Sequence, residues 1–427
     1  MIRPTLAKVV GVAAALALSL SACGGVNSNA ASKNTAADSA SDACKSTAGI
    51  TDKSIDLSVL SDLSGPIAPG GEPAAAGAQA FFNYANQNPD KLGGRTINLT
   101  VKDTQYDPQK AIAAYREVSA NTVGFPLSFG VTNTNAIATQ AQAACMPVVA
   151  SAGSKADERP GINYGGSSYD DSVVNLMDYY VNDQHHKNAR VAVFYMSGSY
   201  GEGAVKALKW LEPKLGFKLV AEQSFAPTDK SFTGQLSAIQ AAKPDVVLMA
   251  SAGAATFGFF GAAQAAGVKW DWLGLQGAYI PAVFDLPIGP AFAKDVTIVY
   301  GAPLAQTGGD QISAALAELK KDFPKDADNV TALLGWQAAY IFYSAMVKAY
   351  DDNNLTRGGI RDALSALNIP SGGMGPEQLV YDPTSDTPAV PYNSNLITVP
   401  DKTAPGGLKI VKNWFQSDLV DQYNAGN

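Results

Sequence analysis

Residues 55–66 read IDLSVLSDLSGP. Residues 55–60 form a short β-rich run that reads as a strand, and Ser61-Asp62-Leu63-Ser64-Gly65-Pro66 reads as the turn that ends it. A helix is expected from about Pro73, with Phe81 and Phe82 on its buried side. Strand, turn and helix then recur. Residues 96–101 read as the next strand, and Asp107-Pro108 supplies an N-cap with proline at the first helical position, ahead of Ile112, Tyr115 and Val118 at helical spacing. Residues 127–131, 147–150 and 163–164 continue the strands.

A second run begins near residue 168. A helix carries Val173, Val174, Leu176, Met177 and Tyr180, and a strand follows over 190–195. The glycine-rich turn SGSYGEG at 197–203 starts the next helix. Further strands are expected at 217–221, 246–249 and 273–275, each separated by one helical segment, and 296–299 leads into the next stretch. Gly301-Ala302-Pro303 looks like a return crossing. Helices at about 310–322, 329–350 and 356–367 follow, then strands at 379–381, 396–399 and 408–411. Alternation of this kind implies βαβ units and parallel sheets covered by helices on both faces. Some twelve strands are too many for one open sheet, so the expected fold class is α/β with two doubly wound parallel-sheet lobes.

The composition, 46% apolar and 16% charged, is that of a folded chain and excludes wholesale disorder. With 31 basic against 38 acidic side chains the net charge is −7, which disfavours nucleic acid as a partner. The two histidines, His185 and His186, are adjacent, and they read as a solvated helix end rather than as metal ligands. There is no Gly-x-Ser-x-Gly elbow, no phosphate loop, no His-Glu-x-x-His and no Cys-x-x-Cys. The acid pairs Asp170-Asp171 and Asp351-Asp352 sit where helix capping explains them. Neither catalysis, nor a cofactor, nor a metal is expected.

Arg3 and Lys8 precede an apolar run over 9–20, of signal-peptide rather than membrane-spanning length. It ends in Leu20-Ser21-Ala22-Cys23-Gly24, which resembles the bacterial lipobox. Removal of residues 1–22 would leave 405 of the 427 residues, with 29 basic against 38 acidic groups and Cys23 lipidated at the new N-terminus. Residues 23–49 are expected to be a tether. Twenty such residues before Cys44 reach roughly 25 Å as a flexible coil. No later segment is expected to cross a bilayer, so the remainder is extracytoplasmic. Two cysteines remain, Cys44 upstream of the first strand and Cys145 directly before another. Strand starts share one edge of a parallel sheet, so the pair could form a disulfide; the alternative is two buried thiols.

In open α/β sheets ligands bind outside the carboxyl ends of strands. The corresponding loops, 61–72, 131–135, 151–155, 197–203, 251–255 and 276–280, are rich in Ser, Thr, Asn, Gly and Gln and poor in charge. Four motifs then fall in a telling order: Ser64-Gly65-Pro66, Tyr106-Asp107-Pro108-Gln109-Lys110-Ala111, Tyr200-Gly201-Glu202-Gly203 and Met374-Gly375-Pro376. Together they resemble the branched-chain amino acid (leucine/isoleucine/valine) family of substrate-binding proteins of ABC transporters, over about residues 54–415. The resemblance implies a type I periplasmic-binding fold with a three-segment hinge and closure on the ligand. It implies a first lobe of 50–168 plus 300–370 and a second of 169–299 plus 371–427, with crossings near 168, 300 and 370. It also implies a small-molecule ligand, ABC permease subunits as partners, a membrane reached through the lipid anchor, and a monomer. A ligand-sensing lipoprotein that signals to a membrane partner is the alternative role.

Carried over residue by residue, the resemblance implies a carboxylate-holding loop at Thr132-Asn133-Thr134, a second at Ala150-Ser151-Ala152-Gly153-Ser154, and an aromatic contact at Tyr200. Two positions depart from the family. Gln276 stands where amino-acid binders place an acid for the ligand's ammonium, and Ser251-Ala252-Gly253 stands where they place an aromatic. Burying an ammonium without a carboxylate partner costs on the order of several kcal/mol. The expected ligand is a small amino-acid-like or organic-acid or amide molecule, and Gln276 points towards one without a free α-amine: an amide, a carboxylate, or an aromatic or aliphatic acid. The expected contacts are Ser64, Asn133, Thr134, Ala152, Ser154, Tyr200, Ala252 and Gln276.

Overall fold

The computed structural model describes residues 42–384 and 389–426. The leader, the lipidation position Cys23 and residues 24–41 lie outside the described residues. The first sheet contains β1 (Ser54–Ser61), β2 (Thr96–Asp103), β3 (Phe125–Ser128), β4 (Val148–Ala150) and β5 (Ile162–Tyr164). Its order is β2-β1-β3-β4-β5, with every pair parallel. The second sheet starts with β6 (Arg190–Met196), β7 (Lys218–Phe225), β8 (Val246–Ala250), β9 (Asp271–Gly274) and β10 (Val296–Tyr300). These pair in parallel in the order β7-β6-β8-β9-β10. Each lobe thus repeats one doubly wound topology, and in each the strand order reverses beside its first strand. That switch point leaves a crevice at the carboxyl edge of the sheet.

Asp107 caps the helix Pro108–Val118 as expected, its Oδ1 accepting from the N–H groups of Gln109 and Lys110. The helix expected from Pro73 already begins at Ala68 and runs to Ala85. Its start is fixed by Asp62, whose carboxylate accepts from the N–H groups of Gly65 and Ile67. Farther along, Gly77 and Gly335 let this helix meet the helix Val330–Asp351 backbone to backbone, because a Cβ at either would overlap the carbonyl of Ala332 or Ala74. Contrary to the expectation from sequence, this 22-residue helix is long and apolar enough to cross a bilayer. It is a core helix here: Trp336, Ala338, Ala339, Ile341 and Phe342 are fully buried.

The remaining strands are β11 (Asn368–Pro370), β12 (Gln378–Val380), β13 (Asn395–Pro400) and β14 (Leu408–Phe415). The last two extend the second sheet beyond β10 in antiparallel register. Among the described residues, 368–384 and 389–391 stay with the first lobe, and the expected crossing near 370 is corrected accordingly. β11 and β12 pair as a hairpin whose glycine-rich turn, residues 371–377, follows the position where the crossing was expected. Beyond it Tyr381 Oη donates to Tyr164 O, Tyr164 N–H donates to Ala389 O, and Gln337 Nε2 donates to Met374 O. The third crossing falls just before β13, at residues 391–394.

Residues 42–49, expected as tether, are folded against the first lobe. Ser46 O accepts from Arg357 N–H, Ile50 bridges to Ile55, and a disulfide joins Cys44 to Cys145 with their Cα atoms 5.0 Å apart.

Candidate ligand cavity

The two switch points face one cavity of about 300 Å³. From the first lobe come Pro66, Ile67 and Pro69 after β1, Tyr106 after β2, Phe129, Gly130 and Val131 after β3, and Ser151 after β4. The second lobe contributes Met196 at the end of β6, Ala252 to Ala254 after β8, Gln276 after β9 and Tyr300 at the end of β10. Tyr169 and Tyr200 stand together, with ring centroids 4.5 Å apart and edge to face. Leu286 lines the cavity while 39% exposed, so the cavity reaches solvent there.

Among the described residues that line this cavity, none is Asp, Glu, Lys, Arg or His. Burial pushes the hydroxyls of Tyr106, Tyr169, Tyr200 and Tyr300 above their ordinary pKa, so they stay neutral. The walls are largely apolar. Two side chains, Ser151 and Gln276, each keep a donor. Ser151 Oγ accepts from Gly130 N–H at 3.2 Å, which leaves its own hydroxyl hydrogen to give. Gln276 Oε1 accepts from Gly301 N–H at 3.1 Å, while Nε2 has no partner among the described residues. Two helices, Val131–Ala143 and Gly253–Ala265, begin at the cavity, and neither N-cap residue, Gly130 nor Ala252, supplies a capping side chain. Such an arrangement can hold an acceptor atom attached to an apolar body. It has no charge with which to match an ammonium.

Of the residues singled out in the sequence, Tyr200, Ala252 and Gln276 line the cavity. Tyr200 Oη donates to Ser251 O at 3.3 Å, which fixes its ring against Tyr169. The others do not line it. Asn133 is fully buried, with Nδ2 donating to Thr104 Oγ1 at 2.7 Å and to Phe129 O at 2.8 Å. Thr134 Oγ1 is hydrogen-bonded to Ser128 Oγ at 2.8 Å. Ser154 Oγ donates to Ser199 O at 2.8 Å, from the first lobe to the second. Ala152 is buried beside it. Ser64 is exposed at the surface, where it donates to Asp103 Oδ2 at 2.6 Å. Ser151, Tyr106, Tyr169 and Tyr300 were not singled out. Ser151 and Tyr106 lie inside motifs quoted above, whereas Tyr169 and Tyr300 carry no local signal.

Two doubly wound lobes with a cavity between their switch points define a solute-binding clamshell. A family model described as periplasmic binding protein matches residues 54–387, and the chain belongs to that family. The Leu/Ile/Val-binding protein BraC3 of Rhizobium johnstonii is 25% identical over 197 residues, 45% of this chain and 53% of that protein. The chain thus spans about half the length of the curated relatives it matches. A fatty acid ABC transporter substrate-binding protein from Thermomonospora curvata superposes with a TM-score of 0.80 at 29% identity, over 88% of this chain and 96% of that one. A branched-chain amino acid ABC transporter protein from Thermus thermophilus with bound valine superposes with a TM-score of 0.76 at 18% identity, over 88% and 100%. The resemblance drawn from the motifs holds at the level of family and of fold.

Proposed function

We propose that this chain is the extracytoplasmic solute-binding protein of an ABC importer, and that its ligand is a carboxylic acid with an apolar body and no ammonium group. The observation that carries this reading is the uncharged, largely apolar cavity lining, in which Ser151 and Gln276 each keep a hydrogen-bond donor. An α-amino acid would leave its ammonium buried without a counter-charge, at a cost on the order of several kcal/mol. A carboxylate is better served, because N–H and O–H donors solvate it without a basic side chain. The fatty acid transporter protein at 29% identity supports the same class.

In this reading the protein binds and does not catalyse. It works as a monomer, held to the membrane through lipidated Cys23 on a tether that ends where residue 42 joins the first lobe, and it delivers its ligand to permease subunits. Replacing Cys23 with Ala would then release the protein from the membrane fraction. The reading is tested by unfolding the purified protein and identifying the co-purified ligand by mass spectrometry. An aliphatic or aromatic acid is expected; a free amino acid would refute the reading.

A further inference from the structure

Gln276 lies two residues past β9 and Gly301 one residue past β10, and these strands are parallel neighbours, with Trp272 opposite Val296. The two residues therefore sit side by side at the carboxyl edge of the second sheet. One faces the cavity and the other opens the second crossing between the lobes. Gly301 is held from several sides. Its carbonyl accepts from Tyr392 Oη at 3.1 Å, and a Cβ placed on it would stand 2.6 Å from Ser167 Oγ and 2.9 Å from Asn395 Nδ2. Ser167, Tyr392 and Asn395 belong to or flank the other two crossings, so Gly301 cannot shift without disturbing all three.

Its N–H is a donor and nothing else. Gln276 meets it with Oε1 at 3.1 Å, which leaves Nε2 for the cavity. Turning the amide over would set Nε2 against the Gly301 N–H, donor against donor, and leave both unpaired. We propose that the Gly301 N–H fixes the orientation of the Gln276 amide, so that the site offers a donor at this point and never an acceptor. Gln276 is then the residue that selects ligands presenting an acceptor oxygen and rejects those presenting an ammonium. An amide free to flip would accept either; this one is locked by the hinge. The inference rests on the cavity being the ligand site.

The test compares two probes with the same eight-carbon body, octanoate and octylamine, titrated by calorimetry into the full chain and into Gln276→Glu and Gln276→Met, with thermal melts to verify folding. The unmodified protein should bind octanoate at least about tenfold more tightly than octylamine, the scale of one buried polar mismatch. Glu at 276 can accept from Gly301 with one oxygen and present the other to the cavity, so Gln276→Glu should reverse the preference. Gln276→Met should lose octanoate affinity by about tenfold and gain none for octylamine. If Gln276→Glu does not fold, the Met variant decides. Should the unmodified protein prefer octanoate while either folded variant behaves like it, the orientation lock is wrong and the ligand class stands. Should the unmodified protein bind neither probe, the ligand class fails and the lock with it.

Discussion

Asn395 Nδ2 donates to Ser167 Oγ at 2.7 Å, and this one bond ties the third crossing between the lobes to the first. The same amide also donates to Ser172 Oγ, and its Oδ1 accepts from Asn175 Nδ2. Asn175 in turn accepts from Ser417 N–H and donates to Asn393 O. Asn395, Asn175, Ser167, Ser172 and Ser417 are buried, where an unpaired polar group costs about 1–3 kcal/mol. Asn395→Leu should lower stability by about 2–4 kcal/mol, read as a fall in the urea midpoint. An unchanged midpoint would mean that the crossings are held by packing alone.

The Cys44–Cys145 disulfide closes a sequence separation of 101 residues. Constraining so long a loop in the unfolded chain stabilises by roughly 2–4 kcal/mol. Cys44→Ala with Cys145→Ala should lower the thermal midpoint and make it insensitive to added reductant. A double variant that melts like the unmodified protein would show the bond to be dispensable.

Asp171 is fully buried at the start of the helix Tyr169–Asp178, and burial pushes its carboxyl up to about 6 despite Lys155 Nζ at 3.6 Å. The folded state then takes up a proton near pH 6, whereas the unfolded chain does so only in the ordinary carboxylate range. Stability from this group therefore rises as pH falls from above 6 towards 4. Glu158 and Asp170, which face the same pocket, push in the same direction. The difference in unfolding free energy between pH 5 and pH 7.5 should shrink by about 1–2 kcal/mol in Asp171→Asn. An equal pH dependence in both proteins would place the titration elsewhere.

Ser151 gives the cavity a free hydroxyl hydrogen while accepting from Gly130 N–H. Ser151→Ala should weaken octanoate binding by about tenfold, with little change in fold stability beyond the loss of that one acceptor. Undiminished affinity would mean that the carboxylate lies at another part of the cavity.

The alternation of strands and helices was legible because buried parallel strands leave continuous apolar runs, and Asp107-Pro108 marked a helix start by its own chemistry. Which loop residues face the cavity was less so. Val131 reads as the end of a strand because it is apolar, yet Gly130, at φ 91°, turns the chain straight into a helix. That puts Asn133 and Thr134 a turn inside it, bonded to Thr104 and Ser128 instead of a ligand. The position of the third crossing was hidden for a similar reason. A glycine-rich stretch fits a hinge and a hairpin turn equally well, and long-range bonds such as those from Tyr381 to Tyr164 and from Gln337 to Met374 separate them. Gln276 was visible from sequence as a departure from the family. Its bond to Gly301 was not, because it depends on two strands becoming neighbours.

The central claim, that an uncharged cavity takes a carboxylate and refuses an ammonium, is tested most directly by titrating the unmodified protein with octanoate and with leucine in the same calorimeter. The account predicts saturable octanoate binding and leucine weaker by at least about a hundredfold, the scale of one unpaired buried charge. Leucine bound as tightly as octanoate, or more tightly, would contradict it.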